Sequence, residues 1–354
     1  MTLCGLKLFS LKIYRNEVTM KDTLIFHLSL TIGRTDEDNW EVFELDDITF
    51  WESNLGVIKS KSYYHDGCSV NVCANWDILI ERLKESYKKT KDAYSKTPID
   101  YSSFVERKVK IPVSVEIKEE NKHSHYISYA RFFVDYYLYE LFVLMNLARP
   151  GVCDFFNLSI NDDDRVVLSS YSFQYAWIDS FNGHFPRLKE LPLSDVIFWY
   201  EGINIGYKQK ASLPIEKALF SLIHFCHSDD DVNDIMWIFH ALEAIFSTRV
   251  GEGFSNLIER ISFLLKLNEK EKSILKKNFR LLYNLRSSLI HGGYEIYHPM
   301  RYDLMDDSLN DQFSEIYKNL QFGVSVIISC LQVMISNNWY GIDVEESIKG
   351  KSTP

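Results

Sequence analysis

The sequence predicts an α+β fold, with a β-rich N-terminal domain followed by an all-α helical bundle. Three observations carry this reading. Before residue 190, short runs alternate apolar with polar residues and favour β-branched side chains, the pattern of half-buried strands. After about residue 190 the strand signals fade and helix start and stop signals recur. The length, 354 residues, is that of two domains at roughly 100–200 residues each. Residues 1–190 are expected to form the first domain, 191–345 the second, and 346–354 a flexible tail. With 46% hydrophobic and 25% charged residues, the chain can build a sizeable core and is not globally disordered.

In the first domain, strands are expected over 6–13, 23–32 (TLIFHLSLTI), 40–50, 67–73 and 108–117 (KVKIPVSVEI). Residues 76–95 place Ile78, Leu79, Leu83 and Tyr87 at helical spacing. A second helix spans 130–148 and stops at Pro150-Gly151. Asn161-Asp162-Asp163-Asp164 is a turn, with a strand expected over 165–178. In the second domain a short helix runs over 194–199. Ser212, Pro214 and Glu216 start another that runs to residue 227. Helices follow from 230 or 231 to 247 and from 255 to 267. Asn268, with Glu269 and Glu271 in the first turn, opens a long helix ending at His291 before Gly292-Gly293. The last helix covers 309–337.

The formal net charge is −10, which excludes a protein that coats nucleic acid or acidic membranes by bulk charge. Lys7 and Lys12 interrupt any apolar leader, so no signal peptide is expected. The most apolar run, 322–335, reads as a buried helix too short to span a bilayer. Six scattered cysteines with no Cys-x-x-Cys pair read as small core residues of a cytoplasmic protein. No membrane association is expected.

The most informative stretch is Leu282-Tyr283-Asn284-Leu285-Arg286-Ser287-Ser288-Leu289-Ile290-His291-Gly292-Gly293. On a helix, Arg286 shares a stripe with Leu282, Leu289 and Ile290. A guanidinium there must be paired, because burying it alone costs several kcal/mol. Glu243 lies on the stripe of Phe239 and Phe246, again a charge on an apolar face. Two opposite charges, each misplaced on its own helix, predict an Arg286–Glu243 pair or a shared polar pocket. His291 follows Arg286 by about 140° around the helix. It falls on the side of Ser287 and Ser288, and is expected to be accessible and titratable.

Arg-x4-His at the end of a long helix, preceded by Leu-Tyr and followed by Gly-Gly, resembles the signature of HEPN domains. With Trp237 and Ala241-Leu242-Glu243 upstream, the pattern is similar to the Apea-like HEPN branch, found in bacterial anti-phage and toxin-like proteins. The resemblance covers roughly residues 190–340. Apea-like proteins also carry a β-rich region ahead of the HEPN domain. The resemblance implies a bundle of four or five helices that dimerises, and metal-independent RNA cleavage by Arg286 and His291. Cleavage requires one group to activate the ribose 2′-OH, one to protonate the leaving 5′-oxygen, and a cation on the developing phosphorane-like charge. His291 suits the proton transfers and Arg286 the phosphate. Two copies of His291 in a homodimer would share the acid and base roles, leaving a 2′,3′-cyclic phosphate. Glu243, Ser287 and Asn284 would support the site. From Glu259 to His291 eight basic residues face three acidic ones, and Lys276, Lys277 and Arg280 are expected to bind the RNA backbone. No metal or cofactor is expected, and the N-terminal domain would meet a phage or cellular trigger.

Blander alternatives stand beside this. Arg286 can be a structural ion-pair partner, Glu243 a core polar anchor and His291 a helix cap, in a non-catalytic dimer that binds nucleic acid or protein. His224 and His227, at i and i+3, are metal-ligand types without a visible partner cluster. The aromatic run Phe132, Phe133, Tyr136, Tyr137, Tyr139 and Phe142 can stack bases, but at helical spacing it reads as core.

Overall fold

A computed structural model describes residues 20–32, 39–96, 107–119, 126–162, 164–227, 232–248, 254–296, 298, 300 and 308–345. The fold is mixed α and β: an antiparallel sheet in the N-terminal part, then a helical region. The strands are β1 (Met20–Thr31), β2 (Ser60–His65), β3 (Cys68–Ala74), β4 (Lys108–Glu119), β5 (Leu158–Ile160) and β6 (Asp164–Val166). They form one six-stranded sheet in the order β2-β3-β4-β1-β5-β6. Helices α1 (Trp40–Ile58), α2 (Asp77–Tyr94) and α3 (Tyr126–Ala148) connect them. The helices α4 (Tyr171–Phe181), α5 (Leu193–Ile203), α6 (Pro214–Cys226), α7 (Ile235–Ile245), α8 (Phe254–Leu264), α9 (Glu269–Ile290) and α10 (Ser308–Ser336) follow.

Alternation decides which way the sheet faces. Val70, Val72 and Ala74 of β3 lie opposite Ile117, Val115 and Val113 of β4. Those in turn continue into Leu24, Phe26, Leu28 and Leu30 of β1. Apart from the half-buried Leu24, all of these are buried. Residues of the intervening register, such as Ile25 and Ser29, face the other way. The apolar face is covered by helices; α3 packs on β3 and β4 and then on α5.

The expected strand over 40–50 is instead part of α1. Phe43, Ile48 and Trp51 are buried together because they share a helical face, and Ile58 extends it. Glu44 sits on this buried face because Arg107, itself 5% exposed, donates to both its carboxylate oxygens at 2.6 Å. Arg107 also donates through Nε to Ser86 Oγ at 2.6 Å, so one buried ion pair ties α1 and α2 to the start of β4. The expected strand over 165–178 shrinks to β6. The Ser170 amide donates to the Asp154 carboxylate at 2.9 Å, and α4 then buries Phe173 and Ala176. Strand β2 was not expected, though its two-residue turn, Asp66-Gly67, has both φ angles positive (49° and 77°), the geometry Asp-Gly supplies in hairpins. The expected strand over 6–13 and the tail over 346–354 lie outside the described residues.

The long helices follow the expectations. The Asn268 side chain accepts from the Glu271 amide at 3.0 Å, and the Glu271 carboxylate accepts from the Asn268 amide at 3.0 Å, a closed capping box at the start of α9. Helix α10 contains the apolar run, which is longer than expected. Residues Ser314–Ser336 are long and apolar enough by length and composition to cross a membrane, yet 78% of their most apolar 18-residue stretch is buried within the protein. Helix α10 packs on α3, α4, α5, α7, α8 and α9. Gln332 joins it to the end of α3, donating to Leu147 O at 3.1 Å and to Lys189 O at 2.7 Å. Just beyond α10, the Trp339 carbonyl accepts from Trp199 Nε1 on α5 at 2.7 Å.

Candidate functional site

The motif residues divide between two faces of α9. At about 100° per residue, Leu275, Phe279, Leu282 and Arg286 fall within about 60° of one another. The first three are fully buried, so Arg286 completes the core-facing stripe at its C-terminal end. Helix α7 meets it there. Arg286 Nη1 donates to Glu243 Oε1 at 2.6 Å, with the two side chains 23% and 36% exposed. The guanidinium also lies over the Phe239 ring, 4.8 Å from its centroid. Glu243 and Phe239 are one turn apart on α7, so this helix supplies both the counter-charge and the ring. The pairing inferred from two misplaced charges is the one the chain makes.

The second face holds the other candidates. Lys276, Arg280, Asn284, Ser287 and His291 fall within about 80° of one another, with Lys277 at the margin. Lys276, Lys277, Arg280, Asn284 and His291 are exposed and Ser287 is half-buried. The Arg280 guanidinium packs over the Phe254 ring of α8 at 4.5 Å. Lys272 is taken by Glu259 at 2.7 Å, which leaves Lys276, Lys277 and Arg280 as the outward cations of this face.

His291 is the C-terminal cap of α9. Its amide donates to Ser287 O at 3.0 Å, and among the described residues no hydrogen bond or ion pair engages its ring. The chain leaves the helix through Gly292 at φ 72°, a left-handed conformation that costs glycine little. The Gly293 amide then closes on Ser288 O at 2.8 Å. This turn holds the imidazole at the end of the basic face. Within one chain the structure therefore joins Arg286 to Glu243 and Phe239, and sets His291 on a different side of the helix.

The remaining candidates are structural. His224 stacks on Trp237, ring centroids 4.3 Å apart and 9° from parallel, and burial together with the neighbouring His227 lowers its imidazole pKa. His227 Nδ1 faces the Val167 carbonyl. The two rings thus serve different neighbours, and among the described residues no three His, Cys, Asp or Glu side chains gather as metal ligands. In the aromatic run, Phe133, Tyr137 and Phe142 are buried, whereas the exposed Phe132 stacks on the half-buried Tyr136. The rings over the two arginines, Phe239 and Phe254, were not anticipated, although Phe239 stands one turn before Glu243. Comparison with protein-family models, with curated proteins and with solved structures finds no match to this chain.

Proposed function

We propose that the chain is an HEPN-type, metal-independent endoribonuclease, a toxin or anti-phage effector that acts as a homodimer. The observation that supports it is the unengaged His291 ring at the end of an exposed face carrying Lys276, Lys277 and Arg280. RNA phosphates lie along these cations, and the 2′-OH and 5′-oxygen of one linkage come to the imidazole. A neutral His291 takes the 2′-OH proton as the oxygen attacks phosphorus. A second, protonated His291 from the partner copy gives its proton to the departing 5′-oxygen. The products are a 2′,3′-cyclic phosphate and a free 5′-hydroxyl. Glu243 uses one donor of Arg286 and orients the rest; Ser287 and Asn284 flank the path of the backbone. A phage or cellular trigger would act through the N-terminal part.

A second reading, a non-catalytic HEPN dimer that binds nucleic acid or protein, is favoured by one observation. Arg286 is already committed to Glu243 and Phe239, on a different face from His291. Incubating RNA with the protein in EDTA separates the two readings. The enzyme reading expects fragments with cyclic-phosphate ends, reduced roughly 10²- to 10⁴-fold by His291→Ala, the range of a lost general acid or base. Equal cleavage by the variant, or strict dependence on added metal, overturns it. A stable dimer that binds RNA and never cleaves it supports the second.

A further inference from the structure

A cleft of about 710 Å³, to which α9 contributes no lining residue, lies between the free edge of the sheet and the segment joining α5 to α6. One wall is β2 with α3; the other is Tyr200 to Lys208. Five tyrosines line it: Tyr63, Tyr64, Tyr136, Tyr200 and Tyr207. Tyr64 stands at the mouth, 71% exposed, and the other four are half-buried. Ring faces and phenolic hydroxyls therefore border the same space.

Both of its lysines are held by carboxylates. Lys61 Nζ bridges Glu140 at 3.0 Å and Glu201 at 3.1 Å, and the Tyr63 hydroxyl donates to Glu140 at 2.9 Å. Lys208 is held by the fully buried Glu216 at 2.7 Å. Glu216 also accepts from the amides of Ser212 and Leu213 at 2.8 and 3.0 Å, so the far wall is anchored at the start of α6. Asn204 and Gly206, at φ 55° and 54°, give that wall its sharp path. Burial raises the pKa of the Tyr63, Tyr136 and Tyr200 phenols, Tyr136 to about 12, so all three keep their protons at neutral pH.

The edge strand adds a directional pair. The two-residue turn makes His65–Cys68 a hydrogen-bonded pair, and the antiparallel register alternates from there. Tyr63–Val70 and Lys61–Val72 are then bonded across the ladder, while the main-chain groups of Ser62 and Tyr64 point outward. Among the described residues nothing outside the strand ladder engages them. The Ser62 carbonyl and the Tyr64 amide, on either side of residue 63, thus form an acceptor–donor pair at the rim of a tyrosine-walled cleft. That pair complements the exocyclic amine and adjacent ring nitrogen of an aminopurine, and the rings offer stacking to its faces. With both lysines already held by carboxylates, the cleft favours a neutral heterocycle over an anionic ligand.

We propose that this cleft binds an adenine nucleoside or nucleotide, the base stacked on tyrosine and its amino edge read by the Ser62 carbonyl and the Tyr64 amide. The proposal does not rest on the ribonuclease reading. The test is calorimetric titration of the full-length protein with adenosine, AMP and inosine. Adenosine is expected to saturate. AMP is expected to bind no more tightly than adenosine, because Lys61 and Lys208 are already held by carboxylates, and markedly tighter binding of AMP would count against a base-reading cleft. Inosine, whose carbonyl would face the Ser62 carbonyl, is expected to bind at least about tenfold more weakly, the effect of one hydrogen-bond donor lost. Tyr64→Ala removes the ring and keeps the amide. Tyr64→Pro removes both, and is tolerated because that amide points off an edge strand. The proline variant is expected to bind more weakly than the alanine variant, with circular dichroism confirming that both fold. Tyr200→Ala, on the opposite wall, weakens binding without touching β2, and His291→Ala leaves it unchanged. No saturation by adenosine up to millimolar concentration, equal binding of inosine, or equal binding by Tyr64→Ala and Tyr64→Pro overturns the proposal.

Discussion

Arg286 and His291 stand five residues apart and answer to different forces. Arg286 belongs to the core stripe of α9 and is there because Glu243 neutralises it and Phe239 covers it. Solvent reaches both charged side chains, so the ion pair is worth less than a buried one, about 1 kcal/mol. Losing the contact over Phe239 adds about 0.5–1 kcal/mol. Arg286→Ala is therefore expected to lower stability by about 1–2 kcal/mol, read from the urea midpoint. Among the described residues no hydrogen bond, ion pair or ring contact engages the His291 ring, and its amide bond to Ser287 survives substitution. His291→Ala is expected to stay within about 0.5 kcal/mol of wild type. A destabilisation by His291→Ala as large as that by Arg286→Ala would make the histidine a structural cap and remove the reason to assign it proton transfer.

At the scale of elements, α10 organises the helical region, and Gly323 sets how closely its neighbours approach. A Cβ there would lie 2.8 Å from Ile238 Cγ2 on α7 and 3.3 Å from Leu282 Cδ1 on α9. Gly323→Ala raises intrinsic helix propensity, yet the clash is with well-packed side chains. A net loss of about 1–3 kcal/mol is expected by chemical denaturation; a neutral or stabilised variant would show that α7 and α9 can yield. Nothing about Gly323 was legible in the sequence, since the reason for it lies on two other helices. The caps of α9 were legible, because Asn268, Glu271 and Gly292 act on their own turns. Strands β1, β3 and β4 were legible because one face is buried and the alternation is complete. Helix α1 was misread because Glu44 breaks its apolar pattern, and only Arg107, 63 residues away, makes that position tolerable. In the site the same division holds. The Arg286–Glu243 pair could be read because each charge was anomalous on its own helix. The tyrosine cleft could not, because its walls come from distant parts of the sequence and meet only in the folded chain.

For the whole molecule, charge sets the terms on which RNA can be met. The chain carries −10 overall, whereas the outward face of α9 presents Lys276, Lys277 and Arg280, with Glu269 two turns before them. The acidic runs at 229–231 and 303–311 lie in parts of the chain whose side chains are outside the described residues. A body of this sign repels polyanions at long range, and salt weakens that repulsion, while three cations attract at contact. Each phosphate neutralised on a single strand contributes a slope of about −0.7 to the logarithm of the binding constant against the logarithm of salt concentration. Three contacts give a slope near −2, and two α9 faces sharing one RNA in a dimer give a slope near −4. Fluorescence anisotropy of a short single-stranded RNA across a salt series reads this directly. The double variant Lys276→Ala, Lys277→Ala is expected to bring the slope to about −0.7 for one face and −1.4 for two. An unchanged slope would place RNA on another surface, and with it remove the basic face of α9 from the proposed mechanism.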